Sequence, residues 1–168
     1  MASITLKGAP FSTGGELPGK GSAAPDFDLT GGNLSSVSLG DFEGKTLILN
    51  IFPSLDTGTC QASARRFNQE ADKLENTVIA NVSMDLPFAT DRFCTSEGLE
   101  SVVNLSGFRS KSFGSDYGVT IVDGPLAGLY SRAVVIIDNT GKIIYTQQVP
   151  EIADEPDYDS ALNALPQA

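Results

Sequence analysis

A nearly apolar run of seven residues, followed by a helix-forming pattern, constrains the fold of this chain more than any other feature. Residues 46–52 are almost entirely apolar and lie between Lys45 and Pro53. Such a run predicts a central strand that is covered on both faces. Further apolar residues then recur at intervals of four and three, as on one face of a helix: Cys60, Ala64, Phe67, Ala71 and Leu74. Cys60 therefore heads the buried stripe of a helix that directly follows a buried strand.

A second strand and helix follow in the same order. Residues 77–83 predict another buried strand. Asp85 as an N-terminal cap and Pro87 at an early helical position predict a helix that carries Cys94 and ends near Gly98. Alternation of strands and helices predicts parallel strand pairs with right-handed crossovers, and helices on either side of the sheet.

The rest of the chain completes a prediction of one α/β domain over residues 1–168. The length of 168 residues and the hydrophobic content of 40% suit a single core. Residues 1–23 are rich in glycine and proline, which predicts an N-terminal β-hairpin and loop extension. The other predicted segments are a half-buried strand at 24–29, a connector at 38–45, a short strand at 102–105, a β-hairpin from 132–137 to 142–147 and a closing helix at 158–165.

Composition excludes several classes of function. The chain has no histidine, which removes histidine-dependent nucleophilic catalysis and histidine metal sites. Its formal charge of −10, without a basic run, argues against nucleic acid as a partner. No apolar run approaches the roughly 20 residues of a membrane helix, and the first residues lack a leader pattern. We therefore expect a cytoplasmic protein that needs neither a membrane nor a metal or other cofactor.

Cys60 is the first candidate for chemistry. In the first turn of a helix, unpaired backbone N–H groups and the positive end of the dipole favour a thiolate over a thiol. Asp56 or Thr57 is expected to cap this helix through a side-chain oxygen. The alternative is that Cys60 is only a small buried apolar residue of the core.

The segment before Cys60 favours the first interpretation. Pro53, Thr57 and Cys60 match the pattern PxxxTxxC, in which a proline-fixed loop brings a hydroxyl and a cysteine to one point. With this motif, the chain resembles the bacterial thiol peroxidases, the atypical two-cysteine branch of the peroxiredoxin family, over nearly its whole length. The segments that carry the resemblance are 50–60, 85–88, 92–94, 97–99, 123–126 and 155–158.

This resemblance implies a thioredoxin-like fold with a central mixed sheet, and a role for each of five residues. Cys60 would be the peroxidatic cysteine and Cys94 the resolving cysteine. Thr57 would place its hydroxyl beside the sulfur and the peroxide, although it could merely cap the helix. Arg132 would hold the thiolate and polarise the peroxide. Without the resemblance, Arg132 would be interpreted as a solvated charge at the end of a strand. Pro53 would shield the sulfur from water, although it could merely end the strand.

The implied reaction is the reduction of hydrogen peroxide and alkyl hydroperoxides. A sulfenic acid on Cys60 would condense with Cys94 to a disulfide, which thioredoxin would reduce; the family also implies a homodimer. A disulfide requires Cα atoms within roughly 7 Å, so two cysteines in separate helices predict local unfolding in each turnover. Phe52, Leu55 and Phe93 are candidates for an apolar approach to the site.

Two other functions stay open at this point. A general dithiol–disulfide oxidoreductase of the same fold normally has a C-x-x-C pair, but here Thr57 occupies the first position of that pair. A non-enzymatic redox sensor would use the same two cysteines to signal oxidation to a partner. Cys94 could also be an ordinary buried thiol.

Overall fold

A computed structural model describes residues 1–167 of the chain. In chain order its strands are β1 (Ser3–Leu6), β2 (Ala9–Ser12), β3 (Asp28–Thr30), β4 (Ser36–Ser38), β5 (Thr46–Ile51), β6 (Thr77–Ser83), β7 (Val103–Ser106), β8 (Ala133–Ile137) and β9 (Ile143–Gln148). The helices are α1 (Gly58–Ala71), α2 (Pro87–Glu97), α3 (Phe113–Asp116) and α4 (Tyr158–Asn163), with a 3₁₀ turn at Leu39–Phe42.

The main sheet has seven strands in the order β4-β3-β7-β6-β5-β8-β9. Its middle pairs, β5 with β6 and β6 with β7, are parallel, whereas β8 and β9 add an antiparallel hairpin at one side. All six residues of β5 are buried, as its apolar run predicts. The mixed sheet, the flanking helices and the separate β1–β2 hairpin confirm the predicted fold class.

The two faces of the sheet carry different helices. Leu47, Leu49 and Ile51 of β5 point into a cluster that includes Phe113 of α3. Ile48 lies on the opposite face, because successive strand side chains alternate. Ile48 belongs to a second cluster, which contains buried apolar residues of α1, α2 and α4 and both cysteines: Cys60, Ala64, Phe67, Cys94, Tyr158 and Ala161. The two crossover helices thus lie on one face.

The β1–β2 hairpin is fixed to the segment 150–153 by Glu151. Its carboxylate accepts hydrogen bonds from the hydroxyl of Thr5 (2.7 Å) and from the backbone N–H groups of Lys7 (2.9 Å) and Gly8 (3.1 Å). Lys7 and Gly8 have φ values of +51° and +81°, so they form the tight turn of the hairpin. These three bonds lower the pKa of Glu151 to about 2. The hairpin tip is therefore held beside the segment that follows β9.

Several local predictions were wrong. Asp85 does not cap α2, which begins after Leu86; its carboxylate accepts instead from the Ser54 hydroxyl and the Leu55 N–H. The strand expected at 24–29 is limited to Asp28–Thr30, the part that forms a continuous ladder with β4. The connector at 38–45 contains the 3₁₀ turn, and neither β4 nor α3 was predicted.

Within residues 1–167, no helix combines the length and the apolar content that crossing a membrane would require.

Candidate active site

Cys60 lies in the first turn of α1, directly beyond the carboxyl end of β5. The strand is buried between β6 and β8, and the loop from Phe52 leads into the helix at Gly58. Cys60 is a free thiol with an exposed fraction of 0%. Its sulfur therefore sits where the backbone N–H groups of a helix start converge, on the face of the sheet that carries α2.

The Thr57 hydroxyl lies 2.7 Å from Cys60 Sγ and 3.1 Å from the carbonyl oxygen of Ser54. A hydroxyl has only one proton to donate. When Cys60 is a thiol, Thr57 can donate to Ser54 and accept from the S–H group; when Cys60 is a thiolate, Thr57 can donate to the sulfur. Thr57 is the N-cap residue of α1, but its side chain makes no capping bond, so the expected side-chain cap by Asp56 or Thr57 is absent.

Arg132 reaches the same sulfur from the other side. Its Nη2 lies 3.3 Å from Cys60 Sγ, and its Nε donates to the carbonyl oxygen of Ile152 at 2.8 Å. The residue is only 2% exposed, so it is not a solvated strand-end charge. Among residues 1–167 no carboxylate pairs with this guanidinium, and its Nη1 has no hydrogen-bond partner. A buried, unpaired cation at this distance favours a negative charge on sulfur.

Pro53, Thr57 and Arg132 line a cleft of about 360 Å³. Its outer walls are mostly apolar and come from three separate segments: Leu6, Leu126, Leu129 and Ile152. The expected lining residues are wrong: Phe52 and Leu55 are buried in the core, and Phe93 lies on α2 beneath the Arg65 guanidinium. Of the four apolar wall residues, only Leu126 was indicated by the sequence, because it lies in a segment that carries the family resemblance.

Glu151 holds one wall of this cleft in place, and the sequence did not predict it. Beyond the hairpin bonds, its carboxylate accepts from the N–H of Ala153 at 3.2 Å. The carbonyl oxygen of Ala153 in turn accepts from the Thr59 hydroxyl of α1 at 2.9 Å. The segment that contacts Arg132 through Ile152 is thus bonded both to the hairpin and to the start of α1.

Cys94 lies at the start of the last turn of α2 and is 7% exposed. The side-chain amide of Asn104 donates to its sulfur at 3.2 Å. Burial raises the pKa of the Cys94 thiol; the Asn104 hydrogen bond acts in the opposite direction, and the negative charge of Asp91 adds to the rise. Cys94 is a free thiol like Cys60, and each occupies a fully formed helix. The structure therefore describes the reduced state, with the two sulfurs in separate elements.

Comparison with known proteins agrees with this geometry. Residues 19–162 match the family model described as Redoxin. The thiol peroxidase of Mycobacterium tuberculosis is 55% identical over 165 residues, which cover 98% of this chain and 99% of that protein. The thiol peroxidase of Corynebacterium glutamicum is 50% identical with the same coverage. A solved structure of a peroxiredoxin-like protein from Aquifex aeolicus is 37% identical, with a TM-score of 0.91 over 97% of this chain and 95% of that one.

These matches span nearly the whole chain, and they confirm the resemblance drawn from the motif around Cys60. The chain therefore belongs to the redoxin family and, within it, to the thiol peroxidases.

Proposed function

We propose that this protein reduces hydroperoxides with Cys60 as the attacking thiolate and Cys94 as the resolving thiol of the same chain. One observation carries the assignment of Cys60: its sulfur lies within 3.3 Å of a buried guanidinium that has no carboxylate partner among residues 1–167, and within 2.7 Å of a hydroxyl. The sulfur is the natural counter-charge of Arg132, and a thiolate is the reactive form of cysteine.

In the first step, the Cys60 thiolate attacks the terminal oxygen of the peroxide. The S–O bond forms as the O–O bond breaks, which leaves Cys60 as a sulfenic acid and releases water or an alcohol after proton uptake. The free Nη1 of Arg132 is available to donate to a peroxide oxygen as negative charge develops on it. Thr57 can donate to one oxygen or to the sulfur, because its hydroxyl already lies against both the sulfur and a carbonyl.

In the second step, the sulfur of Cys94 attacks the sulfenic sulfur. The S–S bond forms, the S–O bond breaks and water leaves. Because Cys60 and Cys94 occupy two formed helices, this step requires local unfolding of one or both segments. Pro53, which is buried beside the cleft, would limit access of water to the reacting sulfur.

The cleft favours organic hydroperoxides as substrates in addition to hydrogen peroxide. Four aliphatic side chains form most of its outer walls, and burial of apolar surface is worth roughly 25 cal/mol per Å². An alkyl group in contact with Leu126 and Leu129 would therefore bind more tightly than a hydroxyl would.

The disulfide must be reduced by an external dithiol, for which we propose thioredoxin. A disulfide that is broken in every cycle suits a reducing compartment, so we also propose that the protein works in the cytoplasm. The family resemblance further suggests a homodimer of one domain per chain.

The test is NADPH-coupled consumption of cumene hydroperoxide with thioredoxin and its reductase. Cys60→Ser should abolish consumption. Cys94→Ser should retain about one turnover per chain but lose thioredoxin-dependent cycling, whereas Thr95→Ala, an exposed neighbour on α2, should behave as the parent. Wild-type protein that reacts once but never cycles with a dithiol would instead indicate a redox sensor.

A further inference from the structure

Three asparagines lie side by side in the middle of the sheet. Asn50 of β5 is in register with Asn81 of β6, and Asn81 is in register with Asn104 of β7. Their amides are hydrogen-bonded in one direction: Asn50 Nδ2 donates to Asn81 Oδ1 at 2.9 Å, and Asn81 Nδ2 donates to Asn104 Oδ1 at 3.3 Å. We call this row of three side chains the asparagine ladder.

Each end of the asparagine ladder reaches a cysteine helix. At one end, Asn104 Nδ2 donates to Cys94 Sγ at 3.2 Å. At the other, Asn50 Nδ2 lies 3.3 Å from the hydroxyl of Ser63, which donates to the carbonyl oxygen of Cys60 at 2.9 Å. The ladder thus links the sulfur of Cys94 to the first turn of α1 across three strands.

Burial of these amides lowers the stability of the folded state. Asn50 and Asn81 are 1% and 2% exposed within strands whose other residues are mainly apolar. Asn50 Oδ1 accepts no hydrogen bond from any group in the described part of the chain. A buried acceptor without a partner destabilises the folded state, and valine or isoleucine would suit such strands better. Apolar packing therefore does not account for these amides, whereas their contacts at both ends reach the cysteine helices.

We propose that Asn104 is a positioning residue for disulfide formation. Its hydrogen bond to Cys94 Sγ, which Asn81 and Asn50 support, retains Cys94 in α2 while Cys60 reacts with peroxide. The bond thereby limits the rate at which Cys94 leaves the helix. This inference rests on the proposed role of Cys94 as the resolving cysteine. The chemistry is that of the second step above, in which Cys94 displaces water from the Cys60 sulfenic acid.

The bond exists only while α2 is folded around Cys94. Loss of the bond therefore raises the population of the opened state from which the disulfide forms. One such hydrogen bond corresponds to about a fivefold change in an equilibrium. The sulfenic acid of Cys60 is consumed either by Cys94 or by a second peroxide, which yields a sulfinic acid. A faster release of Cys94 should therefore reduce sulfinic acid formation at a given peroxide concentration.

The test compares Asn104→Asp with Asn68→Asp in the full-length reduced protein. Aspartate at position 104 can still accept from Asn81 but cannot donate to Cys94. Asn68 Oδ1 accepts from the Ser101 N–H, so Asn68→Asp keeps its bond and adds the same charge away from Cys94. The ratio of disulfide to sulfinic acid is measured by mass spectrometry across a titration with hydrogen peroxide. Hydrogen exchange of residues 87–97 is measured in the reduced state, and single-turnover peroxide consumption reports the first step.

We expect Asn104→Asp to need about fivefold more peroxide than the parent for half-conversion to sulfinic acid, to exchange faster over α2 and to keep the first-step rate. Asn68→Asp should match the parent. Asn104→Ser, which is too short to reach the sulfur, serves as the second variant if the aspartate variant does not fold, and should shift the ratio in the same direction. Equal ratios for the position 104 and position 68 variants, or increased sulfinic acid in the former, would overturn the inference. Cys94→Ser separates the two proposals: if it forms no more sulfinic acid than the parent, the assignment of Cys94 itself fails.

Discussion

Replacement of Arg132 by methionine tests the electrostatic basis of the site most directly. Two unit charges separated by the 3.3 Å between Nη2 and Cys60 Sγ interact by about 5 kcal/mol at an effective dielectric constant of about 20. Lost hydration offsets part of this energy, and hydrogen bonds to charged groups are worth about 1.5–3 kcal/mol net. At about 1.4 kcal/mol per factor of ten, the second-order rate with peroxide should fall between roughly tenfold and 150-fold.

The assay is rapid-mixing consumption of hydrogen peroxide by the reduced enzyme at neutral pH. Arg132→Lys keeps the charge but loses the paired contacts to the sulfur and to Ile152, so it should lose less activity than Arg132→Met. Arg109→Met is the matched control, because that exposed guanidinium donates to the carbonyl oxygen of Leu34 and lies over the Phe108 ring, away from Cys60. An unchanged rate in correctly folded Arg132→Met would refute the view that this cation activates the sulfur.

Four further predictions concern stability, substrate binding and opening. The pKa of Glu151, about 2 in the folded state, lies below its ordinary value of 4.5. The contribution of Glu151 to hairpin docking is therefore present above about pH 4.5 and is lost as the pH falls towards 2. Glu151→Gln should flatten this pH dependence, as measured by hydrogen exchange of β1 and β2. Leu129→Ser should raise KM for cumene hydroperoxide but not for hydrogen peroxide, as steady-state kinetics would show. Phe67→Ala should cost about 3–5 kcal/mol in urea unfolding, because the fully buried ring packs edge-on against Tyr158 at 5.3 Å. Hydrogen exchange should be faster over α2 in the oxidised than in the reduced enzyme; equal protection would contradict local unfolding.

The residues whose positions the sequence predicted correctly are those whose placement depends on local pattern. The apolar run of β5 and the helical spacing from Cys60 onwards place the sulfur at a helix start without knowledge of any other element. The position of Thr57 close to this sulfur follows from the same short segment. The end of α2 near Gly98 was likewise predicted, and Gly98 adopts the left-handed conformation that glycine favours at a helix terminus.

The features that local sequence pattern did not reveal depend on contacts between distant segments. Arg132 was identified only through the family resemblance, because local pattern indicates a charge at a strand end; the pairing of β8 with β5 brings it to within 3.3 Å of Cys60. The apolar walls of the cleft come from the hairpin, the loop before β8 and the segment after β9, which share no periodic pattern. Asp85 lies where local sequence predicts a helix cap, but its carboxylate accepts hydrogen bonds from Ser54 and Leu55 in the loop before α1. The asparagine ladder had a signal, since each asparagine interrupts an apolar strand, but only the register shows that they are neighbours.

The two cysteine helices differ in how much apolar surface they bury. α1 places Cys60, Ser63, Ala64 and Phe67 in the interior, so its unfolding would expose a large aromatic side chain. α2 buries only Pro87, Thr90 and Cys94, and its phenylalanine at position 88 is already 68% exposed. Fewer buried apolar contacts mean a lower free energy of local unfolding. Closure of a loop of about 35 residues by the disulfide removes about 4 kcal/mol of chain entropy from the unfolded state in the simple polymer model. On the proposed mechanism, α2 is the helix that opens towards Cys60. Its opening gives up the hydrogen bond from Asn104, the ion pair of Glu97 with Arg65 and three buried side chains, but it exposes no fully buried aromatic ring.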